Sequence, residues 1–84
     1  MRLEFESQAL EDLRYWVEQD RRKAVRTLRL LQECLRSPFA GAGKPEPLRH
    51  VLAGCWSRRI DREHRLVYRV EGDRLIVLAC RFHY

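Results

Sequence analysis

The sequence predicts an α+β fold: an antiparallel β-sheet with an N-terminal αα-hairpin packed on one face, in the order βααββββ. Three observations carry this. Residues 7–36 place apolar side chains at helical spacing, in two runs separated by Asp20. Residues 65–84 alternate with a period of two. A stretch rich in glycine and proline, 38–47, divides the two regimes. A chain of 84 residues supports one hydrophobic core, so 1–84 forms a single domain.

Leu3 and Phe5 alternate with Arg2, Glu4 and Glu6, which suggests a short first strand. Ser7 suits the N-cap of a helix to about Gln19, with Ala9, Leu10, Leu13, Trp16 and Val17 on one side. Asp20 then caps a second helix over 21–36. Its expected apolar stripe is Ala24, Leu28, Leu31 and Leu35, with Arg22, Arg26, Arg29 and Arg36 opposite. Ser37-Pro38 ends it. Residues 38–47 read as a loop in which Pro45 and Pro47 keep Glu46 extended. Residues 48–53 and 56–60 read as two strands turning at Gly54, followed by strands over 65–70 and 74–84. A three-residue turn at Glu71-Gly72-Asp73 puts Leu66, Tyr68 and Val70 on one face with Ile76, Leu78, Cys80 and Phe82. Arg65, Arg81 and His83 then share the face turned from the helices, with Arg59 at the same parity.

The formal net charge of +5 is unevenly placed. Residues 1–36 hold 8 Lys/Arg against 7 Asp/Glu, and residues 37–84 hold 9 against 5. The surplus therefore lies in the second half, which favours an anionic partner there. Three cysteines without a C-x-x-C spacing argue against a disulfide framework or a zinc site, and Cys34 and Cys80 fall at apolar-face positions, as buried free thiols of a reducing compartment do. His50, His64 and His83 are too scattered for a metal, so neither metal nor cofactor is expected. With no membrane-length apolar run and no signal-peptide core, a cytoplasmic protein is expected.

The chain ends on Arg81-Phe82-His83-Tyr84, an imidazole, a guanidinium and a phenol closing a strand. Cleavage of RNA by its own 2′-hydroxyl needs a base, cations for the extra phosphate charge and an acid for the departing 5′ oxygen. Glu46, an ionised carboxylate in a proline frame, is the candidate base. His83 is the candidate acid, because imidazole titrates near neutrality. Arg59 and Arg65 suit the phosphate by their planar fork, Arg49 adds a cation, and Tyr84 can stack on a base or bond a phosphate. Arg22, Arg26 and Arg29, opposite the apolar stripe of the second helix, make a second basic face suited to phosphate contacts.

These residues also form motifs. Gly43-Lys44-Pro45-Glu46-Pro47-Leu48, Trp56-Ser57-Arg58-Arg59-Ile60, Glu63-His64-Arg65-Leu66-Val67-Tyr68 and the ending Ala79-Cys80-Arg81-Phe82-His83-Tyr84 resemble the YoeB-type toxins of the RelE superfamily, over the whole chain. The resemblance implies a microbial-ribonuclease-like fold and cleavage of mRNA in the ribosomal A site. By it, Glu46 is the general base and His83 the general acid, assisted by Arg65, Arg59, Tyr84 and the cation at Arg49, with Glu63 beside the site. It also implies a YefM-like antitoxin with an acidic C-terminal segment, and homodimerisation. Arg49, Phe82 and Cys55 depart from the lysine, tyrosine and phenylalanine common at those positions. Two other classes compete: a non-nucleolytic relative that binds DNA gyrase, and a basic RNA-binding module without catalysis. Neither has a use for Glu46 and His83 as base and acid.

Overall fold

In the computed structural model, which describes residues 1–83, strand β1 (Arg2–Phe5) leads into helices α1 (Ser7–Gln19) and α2 (Arg21–Arg36). Four strands follow: β2 (Glu46–Pro47), β3 (Trp56–Arg59), β4 (Arg65–Glu71) and β5 (Arg74–Phe82). They form one sheet in the order β1-β5-β4-β3-β2. The expected α+β layering holds, but the sheet is mixed, because β1 runs parallel to β5. Its two neighbours lie at opposite ends of the chain, and so long a connection can return the strand in parallel, as a tight hairpin cannot.

Local chemistry explains most element ends. Asp20 occupies the junction of the two helices in extended conformation and accepts the first amides of α2, from Lys23 and Ala24, at its carbonyl. Its side chain makes no cap bond. Ser7 is the first helical residue rather than the cap, which is Glu6. The buried face of α2 is Ala24, Thr27, Leu30, Leu31 and Cys34, so the stripe is rotated from the expected one and Leu28 is left 48% exposed. Leu30 and Thr27 decide this, since both are fully buried. On α1, Leu10 and Val17 are likewise outside the core, while Asp12 is inside it.

The core lies between the helices and the sheet. It joins Ala9, Leu30, Leu31 and Cys34 to Leu66, Tyr68, Leu75, Val77 and Cys80. That set corrects the expected register. The β4–β5 turn pairs Glu71 with Arg74, leaving only Gly72 and Asp73 in the loop. Gly72 adopts φ 59°, as the first central residue of the tight hairpin turns that suit a twisted ribbon. A two-residue turn shifts pairing by one and exchanges the faces of β5, so Leu75 and Val77 point inward in place of Ile76 and Leu78. A register shift between Tyr68 and Val67 returns Cys80 to the core, and a second, between Val67 and Arg65, turns Phe82 outward.

The strand expected over 48–53 is also absent. Proline-framed Glu46 and Pro47 pair with Ser57 and Trp56 instead, and His50–Leu52 forms a single 3-10 turn. The amide of Leu48 donates to the Cys55 carbonyl at 2.9 Å, closing a loop over 48–55.

Cys34, Cys55 and Cys80 are all buried free thiols. Burial, reinforced by the charge of Asp12, pushes the Cys80 thiol up to about 12, and burial raises Cys34 as well. Tyr68 is raised to about 12 by the same cause. A raised pKa means that unfolding favours proton loss. The stability these groups contribute is complete below about pH 9 and lost as the pH climbs toward about 12. Alkylation by iodoacetamide at pH 8 should therefore spare Cys34 and Cys80 in the native protein and modify both in denaturant. Rapid native labelling of either would contradict this packing.

Candidate active site

On the sheet's outer face, Glu46 meets Arg65. Arg65 Nη1 donates to Glu46 Oε1 at 2.9 Å and lies 3.5 Å from Ser57 Oγ. Strand pairing creates this meeting. Glu46 pairs with Ser57 across β2–β3, and Arg65 pairs with Arg59 across β3–β4. Residues directly opposite share a face, so Arg59 stands beside Arg65. The Glu46 side chain is half exposed, at 51%, and open to solvent from that face.

Arg65 is also opposite Phe82 on β5. Parity had placed Arg81 on this face and Phe82 in the core; the structure reverses them. The irregular pairing between Arg65 and Val67 leaves the Cys80 backbone without regular strand partners. Helix α1 supplies them. Asp12 Oδ2 accepts the Cys80 amide at 3.0 Å, and Trp16 Nε1 donates to the Cys80 carbonyl at 2.8 Å. Gln8 fixes the other Asp12 oxygen at 2.9 Å. Asp12 and Trp16 are four residues apart and thus on one side of the helix. They hold the irregular strand where it re-aims its last residues. Arg81 turns to the helix side and lies 3.6 Å from the centre of the Tyr15 ring, so it belongs to α1 rather than to the Glu46 face.

His83 follows at the exposed end of β5, its ring centre 6.1 Å from that of His64. His64 is no free surface histidine. Its Nδ1 lies 3.0 Å from Asp61 Oδ2, and its ring meets the edge of Trp16 at 4.9 Å. Asp61 also accepts the amides of Glu63 and His64 and faces Lys23 Nζ at 2.8 Å. Burial works against the Asp61 charge, but Lys23, His64 and these amides outweigh it and hold the carboxyl well below its usual range. Glu63 sits exposed in this turn. Tyr84 lies outside the described residues.

The loop carrying Glu46 is organised from beneath by a residue that periodicity could not single out. Arg58 is fully buried, one position before Arg59 and on the opposite face. Its guanidinium donates to the carbonyls of Ser37, Ala40 and Ala42 at 2.6, 2.9 and 3.0 Å, and its Nε donates to the Tyr68 hydroxyl at 3.2 Å. Tyr68 in turn donates to the Pro38 carbonyl at 2.6 Å, and Glu33 accepts the Ala42 amide at 3.0 Å. Gly43, at φ 82°, then brings its carbonyl to the Arg59 amide at 2.7 Å; a Cβ there would lie 3.1 Å from Arg58 Cβ. The Arg–Arg dipeptide within the motif was the only sequence signal, with one arginine for the loop and one for the outer face.

Arg49 lies beside Glu46 on the wall of a cleft at the loop base. Arg22, Arg26 and Arg29 are all exposed on α2, and Arg26 also donates to the Arg59 carbonyl at 3.2 Å. Among the described residues no cluster of His, Cys, Asp and Glu could hold a metal ion, and no helix is long and apolar enough to cross a membrane.

Comparison with known proteins decides the family. Residues 5–84 match the family described as "YoeB-like toxin of bacterial type II toxin-antitoxin system". The chain belongs to this family. It is 49% identical to Toxin YoeB of Escherichia coli K12, over 100% of both chains. Among solved structures, the YoeB/ParE toxin from Agrobacterium tumefaciens superposes with a TM-score of 0.95 at 48% identity, covering 100% of both chains. A YoeB–YefM toxin–antitoxin heterotetramer from Staphylococcus aureus contains a chain that matches with a TM-score of 0.89 at 38% identity, over 100% of this chain and 98% of that one. The fold is thus that of the YoeB- and RelE-type toxins, and the family is that of the toxin halves of toxin–antitoxin pairs.

Proposed function

We propose that this chain is a cytoplasmic, ribosome-dependent mRNA endonuclease that cleaves mRNA in the ribosomal A site and so inhibits translation. The observation that carries the reading is the Glu46–Arg65 pair on the outer sheet face, with Arg59 alongside and His83 just beyond Arg65's strand partner. Glu46 takes the proton of the 2′-hydroxyl, and the 2′ oxygen attacks the adjacent phosphorus. Arg65, Arg59 and Arg49 stabilise the added phosphate charge, and Tyr84 contributes a further contact to the RNA. His83 protonates the 5′ oxygen as its bond to phosphorus breaks, leaving a 2′,3′-cyclic phosphate and a 5′-hydroxyl. Glu63 borders this site. Arg22, Arg26 and Arg29 engage ribosomal phosphates and do no chemistry.

The partner that restrains the activity is a YefM-like antitoxin whose acidic segment complements the basic second half of the chain, and the toxin pairs with a second copy of itself. Single-turnover cleavage on programmed ribosomes tests the reading. Wild-type protein should cut the A-site codon. His83→Gln should slow cutting while ribosome affinity is retained; a matched fall in both would make His83 an RNA-positioning residue. Intact mRNA at saturating wild-type protein would overturn the proposal, and inhibition of DNA supercoiling in its place would identify a gyrase-directed toxin.

A further inference from the structure

A cleft of about 380 Å³ opens beside Glu46, within the range of small-ligand sites. Its walls are Pro47, Leu48, Arg49, His50, Leu52 and Phe82, with Glu46 at one side. We propose that this cleft seats a nucleobase next to the scissile phosphate, and that His50, Leu52 and Phe82 decide which base enters. The inference rests on the endonuclease reading and names the part of the substrate that the reading leaves open.

Three features argue for a base. The first is composition. Single-stranded RNA is recognised by stacking a splayed base on an aromatic ring and bonding its edge to a few polar groups. Phe82 offers the ring, Pro47, Leu48 and Leu52 make apolar walls, and His50 can donate or accept at an edge. The second is the backbone of His50. It has φ 60°, in the left-handed region that residues other than glycine rarely occupy. The turn that holds it is bonded, with the Leu52 amide donating to Arg49 at 3.2 Å and the Ala53 amide to His50 at 3.0 Å. Such conformations persist where the surroundings over-determine them, and they concentrate at binding sites. The third is position. Phe82 reaches the cleft because β5 changes register before it, and Glu46 forms part of the same wall. A base seated there belongs to a nucleotide bordering the reacting 2′-hydroxyl.

Cleavage on ribosomes programmed with codons that vary each base next to the cut provides the test. Wild-type protein should show a base preference. His50→Ala and Phe82→Leu should flatten it about tenfold or more, mainly by slowing the preferred codon. A preference unchanged in both variants overturns the inference. A second arm needs no ribosome. Nucleoside 3′-monophosphates titrated into the free protein should shift the NMR signals of His50 and Leu52, and Leu52→Trp, which plugs the cleft, should abolish those shifts. Shifts absent in wild type, or retained in the plugged variant, count against the cleft. If wild-type protein does not cut mRNA at all, the endonuclease reading fails, and the nucleotide titration still decides whether the cleft holds a base.

Discussion

Glu46→Gln is expected to slow single-turnover mRNA cleavage on programmed ribosomes by about 100- to 10,000-fold, the range typical of losing a general base. Glutamine keeps the shape of the side chain. Its carbonyl can still accept from Arg65 Nη1, where the carboxylate oxygen now sits at 2.9 Å. The backbone pairing of position 46 with Ser57 does not involve the side chain and is kept. What is lost is the capacity to take a proton. Ribosome affinity and thermal stability should therefore stay near wild type, since the Glu46 end of this pair is half exposed and glutamine still accepts from Arg65. A rate close to wild type would remove Glu46 as the base and leave the sheet face as a binding surface.

The second large effect is expected at Arg58. Arg58→Met keeps much of the side-chain volume but removes every donor to Ser37, Ala40, Ala42 and Tyr68. Part-buried carbonyls left unpaired cost toward the lower end of about 1–3 kcal/mol each, while deleting a buried charge returns part of its desolvation. A net loss of about 3 kcal/mol is expected, which lowers Tm by roughly 12–24 °C in a domain of this size. The functional effect should exceed the stability effect. Well below the variant's own Tm, cleavage should fall while ribosome affinity holds, because the loop that delivers Glu46 has lost its anchor. Hydrogen exchange should quicken at the Arg59 amide, whose partner is the Gly43 carbonyl of that loop. A folded variant with wild-type cleavage and unchanged exchange would show that strand pairing alone places Glu46.

Much of the molecule is legible from residue order. The two helices follow from apolar spacing and from Asp20 between them, and the proline frame correctly keeps Glu46 extended. Arg59 and Arg65 share a face because alternation fixes parity within each of two short, regular strands. The failures occur where a single residue changes a register. A three-residue and a two-residue turn put opposite faces of β5 inward, and local pattern does not arbitrate because Leu75, Ile76, Val77 and Leu78 are all apolar. The irregular pairing near Cys80 then moved Arg81 to the helices and Phe82 outward. Asp12 and Trp16, which stabilise it, are 68 and 64 residues away in the chain, beyond the reach of any local rule.

Residue order alone carries the layers, the charge distribution, and the identities of the carboxylate, imidazole and arginines, because spacing, turn residues and side-chain chemistry are local properties. Tertiary structure alone decided the parallel pairing of β1 with β5 and the division of labour between Arg58 and Arg59. It also made the Lys23–Asp61 pair and the cleft beside Glu46. These depend on which backbone groups lack a partner once strands pair, and on which distant side chain is near enough to satisfy them. A buried polar group must find a partner wherever the fold offers one, and that requirement is settled in space rather than along the chain.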